Sequence, residues 1–253
     1  MTDPIDHVVQ SAEPVLRIVE IFGPTLQGEG VHVGRAAHFL RLAGCNLSCR
    51  WCDTAFSWDP AKVDPERPPR TLTTQAILEQ LEPRVVNPNE VAPVIRHLVV
   101  TGGEPLLQSN MLIELCRQLR EFGWFIEIET SGSVSLGALG EVIDQCNVSP
   151  KLKHSGVAHR ARLRYSVLNE FAGMESVAFK FVVQKPEDLD EIDELLAALS
   201  RPIHPSQMWV MAEGNASDVI LERSRLLVDE VIARGWGLTP RWHTLLWNDE
   251  QGR

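Results

Sequence analysis

Residues 44–53 read GCNLSCRWCD and place Cys45, Cys49 and Cys52 in the spacing C-x3-C-x2-C. Spacing this tight lets one loop present three thiolates to a single inorganic centre. A structural zinc site takes four protein ligands, usually as two separated pairs, and a closed [4Fe–4S] cluster also takes four cysteines. No fourth cysteine lies close by in the sequence. The stretch therefore favours a [4Fe–4S] cluster with three protein ligands and one open iron. A zinc loop completed by a histidine is the alternative.

The two remaining cysteines are predicted to be core residues. Cys116 falls on the apolar face of a predicted helix, and Cys146 falls in an apolar strand. Unpaired cysteines are among the most buried residue types. Five cysteines in this distribution do not form a disulfide framework. They indicate a reducing compartment, which predicts a cytoplasmic protein.

The overall composition is that of a globular chain of 253 residues, 44% hydrophobic and 23% charged, with a formal net charge of −10. An acidic chain is a poor candidate for a nucleic-acid partner, because phosphate contacts require clustered lysine and arginine. No apolar run is long enough to predict a membrane span. The basic stretch 151–164 is interpreted as a solvated face, with a local anion site as the alternative. Residues 1–14 lack the pattern of a secretory signal and are predicted to form a flexible arm.

Strand and helix patterns alternate along the chain. Apolar, β-branched stretches predict strands at 15–22, 36–42, 95–101, 124–130, 146–149, 177–183 and 207–211. Apolar residues at steps of three and four predict helices at 110–122, 186–199 and 217–234, with Ser109 capping the start of the first and Gly123 and Gly235 ending the first and third. Such alternation predicts an α/β fold with a mostly parallel sheet and its chemistry at the carboxyl ends of the strands. We expect one domain over 15–253, with surface insertions near 55–70 and 82–93.

A second motif, TGGEP at 101–105, directly follows an apolar strand and lies about fifty residues after the cysteines. Its glycines allow the backbone to approach a ligand closely. Together, the two motifs resemble those of the radical S-adenosylmethionine superfamily. The resemblance implies a partial (β/α) barrel in which S-adenosylmethionine binds the open iron and yields a radical upon one-electron reduction. It also implies a set of cofactor-binding residues, namely Gly102, Gly103, Glu104, Thr130, Ser131, Ser149, Pro150 and Lys151.

Within that superfamily, the chain resembles the 7-carboxy-7-deazaguanine synthase family from about residue 15 to its end. Three stretches carry this resemblance, namely FGPTLQGEG at 22–30, FLRLAGCNL at 39–47 and CDT at 52–54. The family contracts the ring of 6-carboxy-5,6,7,8-tetrahydropterin with loss of ammonia, in 7-deazapurine biosynthesis. The resemblance also implies a flavodoxin or ferredoxin as reductant and a homodimer.

The family resemblance extends to the substrate site. It implies that Leu26, Gln27, Gly28 and Glu29 form the substrate loop, that Arg41 binds the substrate carboxylate, and that Thr101 and His243 contact the substrate. Thr54 resembles the family's Mg²⁺ ligand, since this hard cation prefers oxygen ligands and keeps several waters. Capping of the loop through the Thr54 hydroxyl is the alternative. Thr244 follows His243 where the family commonly has lysine.

Two other classes of function share part of this pattern. A glycyl-radical activating enzyme carries the same cysteine loop and a GGEP turn, but it does not require the QGEG loop at 27–30 or the CDT ending at 52–54. A zinc-binding module without catalytic activity would need only the cysteines. It would be colourless and would not respond to S-adenosylmethionine.

Overall fold

The computed structural model describes residues 14–81 and 94–248. Its strands are β1 (Val15–Leu26), β2 (Ala36–Leu42), β3 (Arg70–Thr73), β4 (His97–Gly102), β5 (Phe125–Thr130), β6 (Gln145–Val148), β7 (Val177–Val183), β8 (Met208–Ala212) and β9 (Gly237–Thr239). Its α-helices are α1 (Thr74–Leu81), α2 (Ser109–Glu121), α3 (His159–Arg162), α4 (Tyr165–Phe171), α5 (Glu187–Ala197), α6 (Ser217–Ala233) and α7 (Trp242–Trp247).

All nine strands form one sheet in the order β3-β1-β2-β4-β5-β6-β7-β8-β9. Every pair from β2 through β9 is parallel, which confirms the predicted α/β fold with a mostly parallel sheet. β1 is antiparallel to both β2 and β3. The connection between β1 and β2 contains only a short 3-10 turn, and a parallel pairing would need a longer crossover.

The two faces of the sheet differ in chemistry. Side chains such as Leu98, Ile128 and Phe179 are fully buried with the helices in the main apolar core. Because successive side chains of a strand alternate, the opposite face carries the intervening residues. On β5 to β7 these include Glu127, Glu129, Asn147 and Lys180. This inner face surrounds a cavity lined from β1 through to the segment after β9, so the sheet is curled into the partial barrel predicted from the sequence.

Several predicted boundaries shift. β1 runs four residues further, to Leu26, and β3, α1, α3, α4, β9 and α7 were not predicted. The predicted helix cap at Ser109 is wrong, because Ser109 is already helical and Gln108 occupies the cap position without a side-chain hydrogen bond. Gly123 and Gly235 follow their helices with φ of 75° and 68°, as expected of helix-ending glycines.

The interpretation of 151–164 as a solvated face is wrong for Arg162. Its guanidinium is buried, forms an ion pair with Glu191 at 2.8 Å and donates to the Lys151 carbonyl at 2.8 Å. Cys116 and Cys146 are fully buried core residues, as predicted, and burial raises the pKa of Cys116 to about 12.

The predicted surface insertion at 55–70 divides into two parts. Residues 60–70 are mostly exposed, whereas Ala55 and Ser57 are buried. The predictions for 1–13 and 82–93 lie outside the described residues, and the single domain over 15–253 stays a prediction. Within the described ranges, no helix has the length and apolar character needed to cross a membrane.

Candidate active site

The cavity lies where the carboxyl ends of the strands meet, and most of the predicted site residues line it. Those that do are Leu26, Gln27, Gly28, Glu29, Arg41, Cys45, Cys49, Cys52, Thr54, Thr101, Gly102, Gly103, Thr130, Ser131, Ser149, Lys151 and His243. Two predicted cofactor-binding residues, Glu104 and Pro150, are buried outside this lining. The three-cysteine loop and the QGEG loop therefore face one cavity, together with Lys151 and His243, which lie much later in the chain.

The cysteine loop is held by its backbone. The Gly44 N–H donates to the Ser57 carbonyl at 2.8 Å, and the Arg50 N–H donates to the Ser155 carbonyl at 2.9 Å. Ser57 and Ser155, which lie far apart in the sequence, thereby fix the loop from two sides. Its three thiols line the cavity.

The thiols suit an iron–sulfur cluster. All three are free and half-buried, and burial raises the pKa of Cys49 and raises that of Cys45 to about 11. The neighbouring Cys49 and Cys52 reinforce the shift on Cys45, since all three sulfurs face the same cavity. A cationic centre would relieve this repulsion by binding the thiolates. Two N–H groups already point at sulfur, from Leu47 to Cys45 at 3.4 Å and from the Trp58 indole to Cys52 at 3.3 Å.

The two glycines of the TGGEP motif press directly against the cysteine loop. A Cβ atom on Gly102 would lie 2.2 Å from the Leu42 carbonyl oxygen, and one on Gly103 would lie 2.1 Å from that of Gly44. Gly102 also has a φ of 143°. Glycine is therefore required at both positions by close backbone approach, and this contact brings the turn to the edge of the cluster loop.

Glu104 holds the wall of the cavity together. Its carboxylate is fully buried and accepts hydrogen bonds from the Thr130 hydroxyl at 2.7 Å, the Ser131 hydroxyl at 2.5 Å and the N–H groups of Ser131 and Leu106. The cofactor contact that the family resemblance implies for Glu104 stays a prediction, and its carboxylate lies behind the wall, where it positions Thr130 and Ser131. Both of those residues do line the cavity.

The turn after β6 supplies a cation beside the cysteine loop. The Lys151 ammonium donates to the Ser149 hydroxyl at 2.9 Å and lies 5.7 Å from the centre of the Trp51 ring. Its charge opposes the burial effect on the pKa of Cys49. The Trp51 indole donates to His154 at 2.9 Å, so this tryptophan anchors the loop to the turn.

On the opposite side of the cavity, charged groups surround Glu29. Lys180 binds one carboxylate oxygen, and Arg241 lies 3.3 Å and His243 3.6 Å from the other. Burial alone would raise the pKa of Glu29, but Lys180, Arg241 and His243 together lower it well below its ordinary value. Burial likewise opposes the charge on Lys180, yet Glu29 and Glu129 raise its pKa. Both members of this buried ion pair are therefore charged.

The groups around Glu29 include Arg241 and His243 from the C-terminal segment. Arg241 also binds Asp53 and donates to the Gly214 carbonyl at 2.5 Å, joining α7 to the cysteine loop. Burial lowers the pKa of His243, although Glu29 opposes the effect. Gly28 packs against this ring, because a Cβ there would lie 2.2 Å from its Nδ1.

The side chain of Gln27 forms its hydrogen bonds with other groups of the protein. Its amide nitrogen donates to Glu127 at 2.7 Å and to Glu129 at 3.2 Å, and its oxygen accepts from the Glu29 N–H at 3.3 Å. The residue lines the cavity but is almost fully buried. Its predicted contact with a pterin edge stays a prediction, and what the structure adds is that Gln27 fixes the shape of the substrate loop.

Arg41 lies between two aromatic rings, with its guanidinium carbon 5.7 Å from the centre of Phe22 and 5.8 Å from that of Phe56. Its Nε donates to Glu20 at 2.7 Å. This arrangement orients the planar fork toward the cavity, which is suited to a carboxylate. Thr101 is buried at the end of β4 and lines the same space.

Thr54 could offer one oxygen ligand to a cation. Its hydroxyl does not cap the 3-10 turn that follows but lies 3.7 Å from the Cys52 sulfur. The neighbouring Asp53 carboxylate is bound by Arg241. In the described ranges, the one grouping of three histidine, cysteine or acidic side chains with metal-like spacing is elsewhere in the chain. A Mg²⁺ ion at Thr54 would therefore take most of its ligands from water and substrate.

Sequence reasoning missed several residues of this site. Lys180 interrupts an otherwise apolar strand, VAFKFVV, and a lone charge in a buried strand was the available signal. Trp58 and Phe56 sit in a segment interpreted as a surface insertion, and both line the cavity. Arg241 lies two residues before His243, but nothing in its neighbourhood of sequence indicates that it reaches Asp53 and Glu29.

The chain matches a family model described as a 4Fe-4S single cluster domain over residues 26–146. This range contains the cysteine loop and the TGGEP turn, together with Leu106, Thr130 and Ser131, which bind the Glu104 carboxylate.

Full-length relatives and a solved structure are also similar. A 7-carboxy-7-deazaguanine synthase from Pyrobaculum aerophilum is 34% identical over 96% of this chain and 100% of its own length. One from Bacillus subtilis is 32% identical over 93% of this chain and 97% of its own. The crystal structure of QueE from Escherichia coli matches with a TM-score of 0.66 and 28% identity, covering 90% of this chain and 95% of that one.

Proposed function

The chain belongs to the 7-carboxy-7-deazaguanine synthase family, and we propose that it is a radical S-adenosylmethionine lyase that makes 7-carboxy-7-deazaguanine. Its substrate is 6-carboxy-5,6,7,8-tetrahydropterin, and the ring contracts with loss of ammonia on the route to 7-deazapurines such as preQ0 and queuosine. One observation carries the proposal. The three cysteines and the family's QGEG loop line a single cavity together with Lys151 and His243, which lie much later in the chain.

Cys45, Cys49 and Cys52 would hold the [4Fe–4S] cluster, and the strand-end residues beside them would hold S-adenosylmethionine. When bound, this pair of cofactors supplies a radical that abstracts hydrogen from the substrate carbon bearing the carboxylate. The chain's own part is to place the two ligands against each other. Gly102 and Gly103 admit the cofactor close to the backbone, and Thr130, Ser131 and Lys151 offer polar groups to it.

The substrate side of the cavity is built to hold charge and hydrogen bonds in fixed positions. Arg41 would bind the substrate carboxylate, while Glu29, kept anionic by Lys180 and Arg241, accepts hydrogen bonds from ring N–H groups. The imidazole of His243 lies beside it and offers a further polar group. Buried polar groups that match one ring edge discriminate strongly, because an analogue leaves them unpaired.

Thr54 is proposed to contribute one ligand to Mg²⁺, with the substrate carboxylate and waters completing the shell. Such an ion would orient the carboxylate as a template and Lewis acid. This assignment is supported by the position of Thr54, which lines the cavity and whose hydroxyl does not cap the 3-10 turn that follows.

A flavodoxin or ferredoxin is proposed as the electron donor, since reductive cleavage of S-adenosylmethionine requires a low-potential one-electron reductant. A homodimer and a cytoplasmic location are proposed on the family resemblance and on the free thiols.

Anaerobic turnover tests the function. The protein is purified without oxygen, its cluster is reconstituted, and dithionite, S-adenosylmethionine, Mg²⁺ and 6-carboxytetrahydropterin are added. We expect 7-carboxy-7-deazaguanine by mass spectrometry from the parent and none from Cys49→Ala, with Cys116→Ala as the matched cysteine control. Cleavage of S-adenosylmethionine without this product would reject the substrate and favour an activating enzyme. A colourless protein containing zinc would reject the radical chemistry altogether.

A further inference from the structure

A second group of ligand-type side chains lies toward the amino end of the barrel interior. His97 is the first residue of β4, Glu127 lies in the middle of β5, and His32 ends the 3-10 turn after the substrate loop. His32 Nδ1 is 2.7 Å and His97 Nε2 is 3.0 Å from the same oxygen of Glu127. All three potential ligand atoms lie within 4.8 Å of one another. These three residues, here called the barrel-floor triad, do not line the active-site cavity.

The composition and spacing of the triad match a metal site. Two imidazoles and one carboxylate are a recurrent ligand set for zinc, with a water in the fourth position. Zinc bonds of about 2.0–2.1 Å in a tetrahedral arrangement would separate the ligand atoms by roughly 3.3 Å. The observed nitrogen–oxygen separations of 2.7 and 3.0 Å would reach that value through outward shifts of a few tenths of an ångström.

Neighbouring side chains hold the three residues of the triad in their orientations. The other oxygen of Glu127 accepts from the side-chain amides of Gln27 at 2.7 Å and Asn147 at 2.5 Å. Phe125 fixes both imidazole rings by edge-to-face contacts with centroid distances of 5.0 and 5.1 Å. Outer-shell contacts of this kind hold ligands in place and contribute to metal affinity.

The local charge also favours a cation. The single Gln27 amide nitrogen bridges Glu127 and Glu129, so two carboxylates approach one neutral group. Glu127 is fully buried, and His32 is slightly exposed, which leaves a short path for an ion from the surface.

From this geometry we propose that His32, His97 and Glu127 bind a zinc ion, distinct from the cysteine site. The ion would fasten the turn that follows the substrate loop to β4 and β5, with a water at its fourth position. The inference rests on the triad's own geometry and stands independently of the proposed reaction.

Zinc content of the cluster-loaded enzyme tests the proposal. The reconstituted protein is incubated with zinc, desalted, and measured for zinc and iron together. We expect the parent to retain about one zinc per chain with its iron unchanged, and X-ray absorption at the zinc edge to show nitrogen and oxygen neighbours near 2.0–2.1 Å. No retained zinc, or sulfur neighbours near 2.3 Å, would overturn the proposal, and these measurements need no variant.

Variants identify the ligands. His97→Gln and His32→Gln each keep a side chain that can hydrogen-bond Glu127, and each should lower zinc affinity at least tenfold while the iron content stays at the parent level. His159→Gln alters an exposed histidine on α3 and should retain zinc as the parent does. Equal retention by the parent and both triad variants would reject these residues as ligands.

Discussion

Lys180 is the residue whose removal should most disturb the barrel interior. In Lys180→Met, the carboxylate of Glu29 loses its closest cation while still buried, and breaking a buried pair in this way costs about 3–5 kcal/mol. Urea unfolding should show this loss. Lys185→Met, on an exposed side chain of the next segment, should change the free energy of unfolding by less than about 0.5 kcal/mol.

The double variant Lys180→Met with Glu29→Gln separates the lost pair from lost packing. Because no unpaired carboxylate remains, we expect it to recover part of the stability lost in the single variant. If the double variant is less stable than the single one by the full cost of Glu29→Gln alone, the pair is not coupled.

Gly28 should matter through His243. In Gly28→Ala, the added methyl group would lie 2.2 Å from the imidazole Nδ1 of His243 and would displace the ring. Small misplacements of positioned groups can lower rates by about a hundredfold, so we expect kcat/KM to fall at least tenfold while S-adenosylmethionine binding is unchanged. Steady-state turnover and a binding titration measure the two effects. Gly173→Ala, which meets the flexible end of Arg201 and the Glu170 carbonyl oxygen at 3.4 Å, is the control and should turn over as the parent does.

Trp58 should tune the cluster. Its indole N–H points at the Cys52 sulfur, and hydrogen bonds to cluster sulfurs raise the reduction potential. Trp58→Phe should therefore shift the midpoint to a more negative value in a potentiometric titration followed by electron paramagnetic resonance. Trp51→Phe removes an indole that donates to His154, not to sulfur, and should leave the midpoint near that of the parent. An equal shift in both variants would argue for a packing effect.

Residue by residue, the sequence predicted the parts of the site that belong to contiguous motifs. The cysteines, the two glycines and the QGEG loop each carry their chemistry in a short stretch. Lys180, Arg241 and Trp58 could not be assigned, because their roles depend on partners far away along the chain. For Glu104, the motif is visible in the sequence, but the partners of the side chain are not. Only the fold reveals that its carboxylate accepts hydrogen bonds from Thr130 and Ser131.

Among the elements, α5 should control the turn after β6. Glu191 on this helix pairs with buried Arg162 and accepts the Lys153 N–H at 2.9 Å, and Arg162 in turn holds the Lys151 carbonyl. In Glu191→Ala the turn loses this anchor, so we expect the Kd for S-adenosylmethionine to rise at least about threefold, or about 0.7 kcal/mol. Equilibrium binding to the reconstituted protein measures it. Glu194→Ala, exposed on the same helix, should bind as the parent does.

Elements with a strong, uninterrupted pattern were predictable, and short ones were not. β7 and β2 have the predicted bounds because both contain long apolar runs. Every residue of β7 is buried, and β2 is buried at most of its positions. β9 and α7 are three and six residues long, and their positions depend on contacts with β8 and the substrate loop. α2 starts one residue early because a 3-10 turn leads directly into it, and the Ser109 N–H donates to the Leu106 carbonyl of that turn.

At the scale of the whole molecule, the acidic barrel interior should make stability depend on pH. Burial tends to raise the pKa of Glu127, but its hydrogen bonds from His32 and His97 lower it to about 2. A group with a depressed folded pKa stabilises the protein above its unfolded pKa of about 4.5 and loses that contribution as pH falls. Between pH 5 and pH 3 this amounts to about 2 kcal/mol.

Glu127→Gln should therefore show a flatter decline in the free energy of unfolding over this range than the parent. Urea unfolding in the presence of a metal chelator measures the difference without a contribution from bound zinc. The exposed Glu187→Gln serves as the control and should follow the parent curve. Parallel curves for the parent and Glu127→Gln would mean that this carboxyl has an ordinary pKa in the folded protein.

The close approach of Gly102 and Gly103 to the backbone at 42–44 has a consequence for protein engineering. The cysteine loop cannot be moved to another protein by itself, because it packs against a turn that lies more than fifty residues away in the sequence. A transplant of 44–53 alone into a foreign barrel would meet side chains where this chain offers bare backbone. The smallest transferable unit is both turns together with the two neighbouring parallel strands, β2 and β4, that set them side by side.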